Sequence, residues 1–330
     1  MDITQLFEEI EAVQAQLAAY RPLAPELQQR IMQKLRLDWN YHSNHIEGNQ
    51  LTYGETKALL LHGLTAQGKP LKDHLETSGH AEAVDWIVDV AKNQEEITEY
   101  FIRSLHKLIL KEPYRKAAKT TDGQPTTRLI KIGEYKSAPN HVETTTGEIF
   151  YFASVEETPA KMQELIDWYR AERQRGEKHG IFLAAQFHYK FVRIHPFDDG
   201  NGRMSRLLMN FILMQYGYPP AVVKTGEKSA YLAALQHADA ADDDDEQKLV
   251  PFVAYIAQCV LDSLDIMLRG AKGESIEEPS DVDKMFALLE NRLKNVKIIQ
   301  KTLNKEALEE LGKNLIPKVL AMFQNTCLRF

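Results

Sequence analysis

Cysteine is nearly absent. Cys259 and Cys327 are the two in 330 residues, far apart and in apolar surroundings, which excludes a disulfide framework and leads us to expect buried thiols in a reducing compartment. Basic charge is also short. Lys and Arg number 40 against 47 Asp and Glu, and a net charge of −7 argues against nucleic acid or anionic lipid as general partners. No apolar run approaches ~20 residues, the length a bilayer span needs, and the first residues carry acids instead of an apolar core. The expectation is a soluble, cytoplasmic protein with no membrane partner. Metal-ligand spacing is missing as well. His74, His80 and His106 are scattered, and no carboxylate or Cys cluster gives them ligand spacing, so structural or surface roles are expected of them. His188 shares a helical face with His195 but has no third ligand for zinc, so it reads as a packed core residue.

What the chain does contain is helical periodicity. Leu6, Ile10, Val13 and Leu17 recur at three- or four-residue steps, as do Leu27, Ile31, Leu35, Trp39, His42 and Ile46 over Glu26 to about Glu47. Gly48-Asn49 is a stop signal, and Thr52-Tyr53-Gly54-Glu55 has capping-box spacing for a helix to about His62. Further helices are expected over 75–90, 98–110, 159–175, 229–237 and 249–268. Between Tyr114 and Pro159 the pattern changes, and two β-leaning pieces, Arg128 to Tyr135 and Glu148 to Phe152, suit a hairpin. The acidic run Ala240 to Glu246 reads as a solvated loop, and Gly270 to Pro279 as a linker. Beyond it, two or three basic helices reach Phe330. They fit an interaction arm, a homodimer contact or a packed cap, with packing or self-association preferred.

The chain is organised around Phe187 to Phe211, FHYKFVRIHPFDDGNGRMSRLLMNF: helix, tight loop, helix. Gly200 and Gly202 flank Asn201, so the backbone can take positive φ and turn its N–H groups toward one point, an anion nest that opens the next helix. Arg203 and Arg206 lie three apart on that helix and reach successive phosphates. Asp198 or Asp199 is placed to hold a Mg²⁺ whose remaining ligands are phosphate oxygens and water. His195 has the position of a general base. The inferred ligand is a Mg²⁺-bound polyphosphate with a proton acceptor beside it.

The window His195-Pro196-Phe197-Asp198-Asp199-Gly200-Asn201-Gly202-Arg203-Met204-Ser205-Arg206 resembles the full signature of the Fic family, HxFx(D/E)GNGRxxR, with no departure at a defined position. The resemblance implies an all-α core with one β-hairpin flap, and transfer of AMP from ATP to a Ser, Thr or Tyr hydroxyl of a target protein, with release of pyrophosphate. It implies that His195 deprotonates the hydroxyl, Asp199 binds Mg²⁺ and Phe197 anchors the loop. Gly200, Asn201, Gly202 and Arg203 would hold the α- and β-phosphates and Arg206 the γ-phosphate.

Upstream, Ser43-Asn44-His45-Ile46-Glu47-Gly48 resembles the inhibitory motif (S/T)xxxE(G/N) that some Fic proteins carry N-terminal to the core. There the glutamate pairs with the second motif arginine, here Arg206, and a carboxylate occupies donors that would take the γ-phosphate. Gly133-Glu134-Tyr135-Lys136 resembles the start of the flap that lines up a target segment by strand addition. The likeness covers roughly Leu27 to Leu268. It divides the chain into an N-terminal helical region over 1–90 that carries the inhibitory helix, a catalytic core over 91–270 and a helical extension over 271–330. The expected activity is that of an adenylyltransferase held in check by Glu47, with self-modification as one outcome. Two other readings stand beside it: hydrolytic removal of AMP using Glu47 as a base for water, and a silent nucleotide-sensing interaction protein.

Overall fold

The computed structural model describes residues 3–119, 124–143, 149–239 and 246–277. The expected C-terminal helices, Cys327 and most of the acidic run 240–246 lie outside the described residues. The chain divides into two compact units, Met1–Lys272 and Gly273–Phe330. The first contains every element named below.

Helix α1 (Ile3–Ala18) buries Leu6, Ile10 and Leu17, the stripe its spacing announces. Helix α2 (Pro25–Ile46) opens with Pro at its first turn and buries Ile31, Leu35, Trp39 and Ile46. It buries Ser43 as well, on the same face. Gly48, at φ 95°, turns the chain out of it. Helix α3 (Tyr53–His62) carries the expected capping box, with Thr52 and Glu55 each taking the other's backbone N–H, and stops at left-handed Gly63. Helices α4 (Leu71–Lys92) and α5 (Glu99–Leu110) follow and pack together.

Strands β1 (Tyr114–Lys119) and β2 (Pro125–Ile130) form one antiparallel ladder, and β3 (Val142–Glu143) and β4 (Ile149–Phe150) a second. The partners differ from the expected ones. Arg128 faces Lys116 across the first ladder and does not pair with the segment near Phe150. Strand β2 ends at Ile130 because the backbone bends at Gly133, φ 66°, and the chain beyond is hydrogen-bonded to the helix–loop–helix turn instead. β1 reads YRKAAK, without a β-branched residue or an alternation to reveal it.

The second half is helical again: α6 (Thr158–Arg175), α7 (Gly180–Ile194), α8 (Asn201–Gln215), a 3-10 turn at Thr225–Glu227, α9 (Lys228–Asp239) and α10 (Glu246–Ala271). Helix α8 is the axis of the fold. All its residues from Arg203 to Leu213 are buried, with α7, α4, α5 and α2 around it. Helix α10 is long and apolar enough to cross a bilayer by length and composition, against the expectation that no run would be. In the fold 56% of its most apolar window is buried, and it packs on α1, α9, α7 and α2. Cys259 lies inside this packing and burial pushes its thiol up, as expected of an inert buried thiol.

Helix α4 crosses α5 so closely that a β-carbon at Gly79 would collide with the backbone oxygen of Leu108. That neighbour is main chain and cannot swing aside. Gly79→Ala is therefore expected to destabilise the fold by at least the ~1–3 kcal/mol typical of overpacking. Urea denaturation checks this, and an unchanged midpoint would contradict the close crossing.

Candidate active site

His195 ends α7 in a left-handed conformation, φ 51°, which a non-glycine residue adopts when its surroundings hold it there. Its ring stacks on Phe152, centroids 4.1 Å apart. Burial, with help from the Lys136 ammonium, lowers its pKa to about 4, although the Val192 backbone and the Glu47 and Asp199 carboxylates pull the other way. The imidazole is thus uncharged at neutral pH and free to take a proton.

The turn that follows is held from within. Phe197 is fully buried, stacked on His106 at 3.9 Å, and Asn201 closes the bend by accepting from Phe197 N at 2.9 Å and donating to Phe197 O at 2.7 Å. His106 Nδ1 accepts from Gly133 N at 2.8 Å, which leaves its Nε2–H to donate to Asp199 O at 3.0 Å. Gly200, φ 82°, precedes α8, and no side chain caps that helix. Its first backbone N–H groups and positive dipole end are left for another acceptor. The Asn201 side chain is turned to Phe197, so its contact with such an acceptor would be through the backbone.

The two aspartates point to different tasks. Asp198 accepts from Arg128 Nη1 at 3.2 Å and from Ser137 N and Oγ at 3.2 and 3.1 Å, tying the turn to β2 and the segment beyond it. Asp199 bonds the Tyr114 hydroxyl and accepts from Lys116 Nζ at 2.9 Å, and these partners from β1 hold its carboxyl down to about 2 against the effect of burial. It is an ionised carboxylate neutralised by a half-exposed lysine, which an arriving cation can replace. Among the described residues no group of three or more His, Cys, Asp or Glu is set to hold a metal. The ionised Asp199 carboxylate is what a Mg²⁺ otherwise liganded by phosphate and water would need of the protein.

Arg203 and Arg206 are both buried in the bundle. Arg203 Nη1 lies 2.9 Å from Glu76 Oε1, yet Nη1 and Nε lack hydrogen-bond partners. Arg206 donates through Nε to Ser43 Oγ at 3.1 Å and through Nη2 to Ser43 O at 2.9 Å and Glu47 Oε1 at 2.7 Å. Burial alone would raise the Glu47 carboxyl, but the Arg206 charge and hydrogen bond, with Arg203 behind them, outweigh it and leave the group below the usual range. A β-carbon at Gly202 would collide with Glu47 Oε1, so the carboxylate also lies over the first turn of α8. Gly48 turns the chain away just after it. His188 is hydrogen-bonded to the Tyr231 hydroxyl at 2.8 Å, as expected of a core residue.

Tyr114, Lys116, Glu76, His106 and Asn140, which donates to His195 O at 3.1 Å, belong to this site and were not legible in the sequence as site residues, whereas Lys136 was legible as part of the flap but not for its bond to Ile194 O. Of the structural or surface roles expected of His106, the structure shows the structural one, through its bond to the Asp199 backbone.

A family model for the Fic/DOC family matches residues 96–213. A Fic domain containing signaling protein from Bacteroides thetaiotaomicron is 43% identical, with a TM-score of 0.74, over 82% of this chain and 99% of that one. Fic-1 from C. elegans shares 26% identity and a TM-score of 0.64 over 82% of this chain and 74% of that one. Protein adenylyltransferase Fic from Drosophila willistoni is 31% identical over 272 residues, 81% of this chain. This chain belongs to the Fic/DOC family. It spans about half the length of that curated relative, 49%.

His106, His188 and His195 are held near 4, 3 and 4, below the ordinary value of ~6.5. Between these values and ~6.5 the unfolded chain binds more protons than the folded one, so stability is full above ~6.5 and falls as pH drops toward 4. The melting temperature should decline steadily from pH 7 to pH 4.5. Imidazole resonances of all three rings that titrate near 6.5 would contradict the burial argument.

Proposed function

We propose that this chain transfers AMP from ATP to a Ser, Thr or Tyr hydroxyl of a protein substrate, and that Glu47 restrains the transfer. The observation that carries the reading is an uncharged imidazole at the entrance of a turn whose far side is an uncapped helix start beneath a buried guanidinium. The hydroxyl oxygen attacks the α-phosphorus, the bond to the bridging oxygen breaks, and pyrophosphate departs. His195 accepts the hydroxyl proton. Its proton affinity at rest is low, and a polyanion beside the ring raises it toward the range a general base needs. The first N–H groups of α8 and Arg203 bind phosphate oxygens, and Arg206 binds the terminal phosphate once Glu47 withdraws. Asp199 would hold Mg²⁺, which supplies charge neutralisation for the departing pyrophosphate. As in phosphoryl transfer generally, positioning and electrostatics carry the rate.

Glu47 stands in the way twice, on the Arg206 donors and over the Gly202 turn. Strand addition to the flap region would present the target hydroxyl with little regard to its sequence.

Incubation of the purified chain with α-³²P-ATP and Mg²⁺ tests this. Glu47→Gly should raise self-labelling at least tenfold, of the order expected when a charge-assisted bond worth ~1.5–3 kcal/mol stops competing for the site. His195→Ala in that background should abolish labelling and leave ATP binding within a few fold. Labelling that survives His195→Ala would remove the base from its role. Loss of AMP release from a pre-labelled protein in Glu47→Gly, with no gain in labelling, would favour the hydrolytic reading.

A further inference from the structure

Four consecutive backbone oxygens run along the turn that carries the imidazole, and two residues from the opposite segment bond all of them. Lys136 Nζ donates to Ile194 O at 3.1 Å and Asn140 Nδ2 to His195 O at 3.1 Å. Lys136 N donates to Pro196 O at 2.8 Å and Asn140 Nδ2 again to Phe197 O at 2.9 Å. The two side chains also fix each other, Lys136 Nζ to Asn140 Oδ1 at 3.1 Å. Three of these four bonds come from side chains and one from the Lys136 backbone, all from a single outside segment.

The lysine is the unusual member. It is 3% exposed, and among the described residues it forms no ion pair within 4 Å. Asp198 and Glu157 act on it from farther away, and burial brings its pKa down to about 8. A lysine is seldom buried without a carboxylate in contact. Here its ammonium donates to Ile194 O at the open carbonyl end of α7, where helical partners run out and the dipole is negative, and to Asn140 Oδ1.

We propose that Lys136, assisted by Asn140, is a positioning residue for adenylyl transfer, seating the His195 turn against the flap-bearing segment so that the imidazole faces the incoming hydroxyl. The inference rests on the reaction proposed above. Lys136 touches neither ring nor phosphate in this role. It acts through the backbone, and secondarily through the field it exerts on the ring. His195 faces Lys136 from this segment, Glu47 from the end of α2 and Asp199 from its own turn.

The test uses the full chain with Glu47→Gly and adds Lys136→Met, Lys136→Arg or Asn140→Asp. Lys136→Met should lower the single-turnover rate of self-labelling from α-³²P-ATP by about 10²-fold, the loss that a displacement of ~1 Å produces. The half-saturating ATP concentration should stay within about twofold, because the phosphate contacts come from α8. Lys136→Arg should recover most of the rate, and Asn140→Asp, which sets a carboxylate against two carbonyl oxygens, should lower it. Near-ultraviolet circular dichroism verifies that each variant is folded. An unchanged rate, a loss of ATP affinity in step with the rate, or Lys136→Arg as slow as Lys136→Met would overturn the proposal.

A second measurement needs no turnover. The His195 ring resonance should titrate higher in Lys136→Met than in the native chain, and an unmoved midpoint would also overturn the proposal. If Glu47→Gly with Lys136 intact transfers no label, the adenylyl-transfer reading falls and this proposal with it, whereas transfer by that variant that Lys136→Met does not slow overturns the proposal alone.

Discussion

Two guanidinium groups inside an apolar helical bundle set the terms for everything near them. Arg203 and Arg206 are 2% and 3% exposed, and a cation taken so far from water costs several kcal/mol unless anions and acceptors surround it. The neighbouring helices answer that demand. α4 supplies Glu76, and the end of α2 supplies the Ser43 hydroxyl and carbonyl and then Glu47. The same field works against any further cation nearby, which is one reason that His80 and His188, buried beside Arg206, remain neutral. The mutual placement of α2, α4 and α8 is therefore electrostatic as well as hydrophobic. Apolar packing brings the helices together, and the charges fix which turn faces which.

The turn between α7 and α8 shows the complementary case, in which backbone groups are the scarce resource. Its oxygens are paired by Lys136, Asn140, Asn201 and His106, and its two carboxylates divide the remaining work. Asp198 faces Arg128 and Ser137 and joins the turn to the strands. Asp199 faces Tyr114 and Lys116 and keeps its charge. Adjacent residues of one type thus serve a structural and an ionic purpose, decided by the half-turn of backbone between them.

Much of this was legible in the sequence, for identifiable reasons. The stripes of α1 and α2, the capping box of α3 and the glycine-flanked turn are local patterns, and local patterns survive without coordinates. Ser43 and Glu47 were legible as a pair because four residues make one helical face, and the structure puts both on Arg206. β1 was not, since its pairing draws on backbone groups that every residue has. Glu76 and Asn140 escaped for a related reason, and so did the task of Lys136, which is legible only as part of the flap. Each meets the site across a long stretch of chain, and nothing in their own neighbourhoods sets them apart from solvated residues. Loop spacing alone left Asp198 and Asp199 equivalent, the family resemblance singled out Asp199, and the task of Asp198 came into view only with its partners Arg128 and Ser137. α10 departs from the expectation in the other direction: no run was expected to reach bilayer length, yet this helix does by length and composition, and packing on α1, α7 and α9 accounts for its apolar face.

The ion pair between α2 and α8 is lopsided. The Arg206 side chain is 3% exposed and the Glu47 side chain 36%, so one member is sealed in and the other stands at the threshold. On separation the acid gains hydration at once, whereas the cation keeps Ser43 and waits with a donor idle. Because Ser43 holds the guanidinium from the other side, an outward turn of Glu47 would free a donor without any need for the bundle around Arg206 to move.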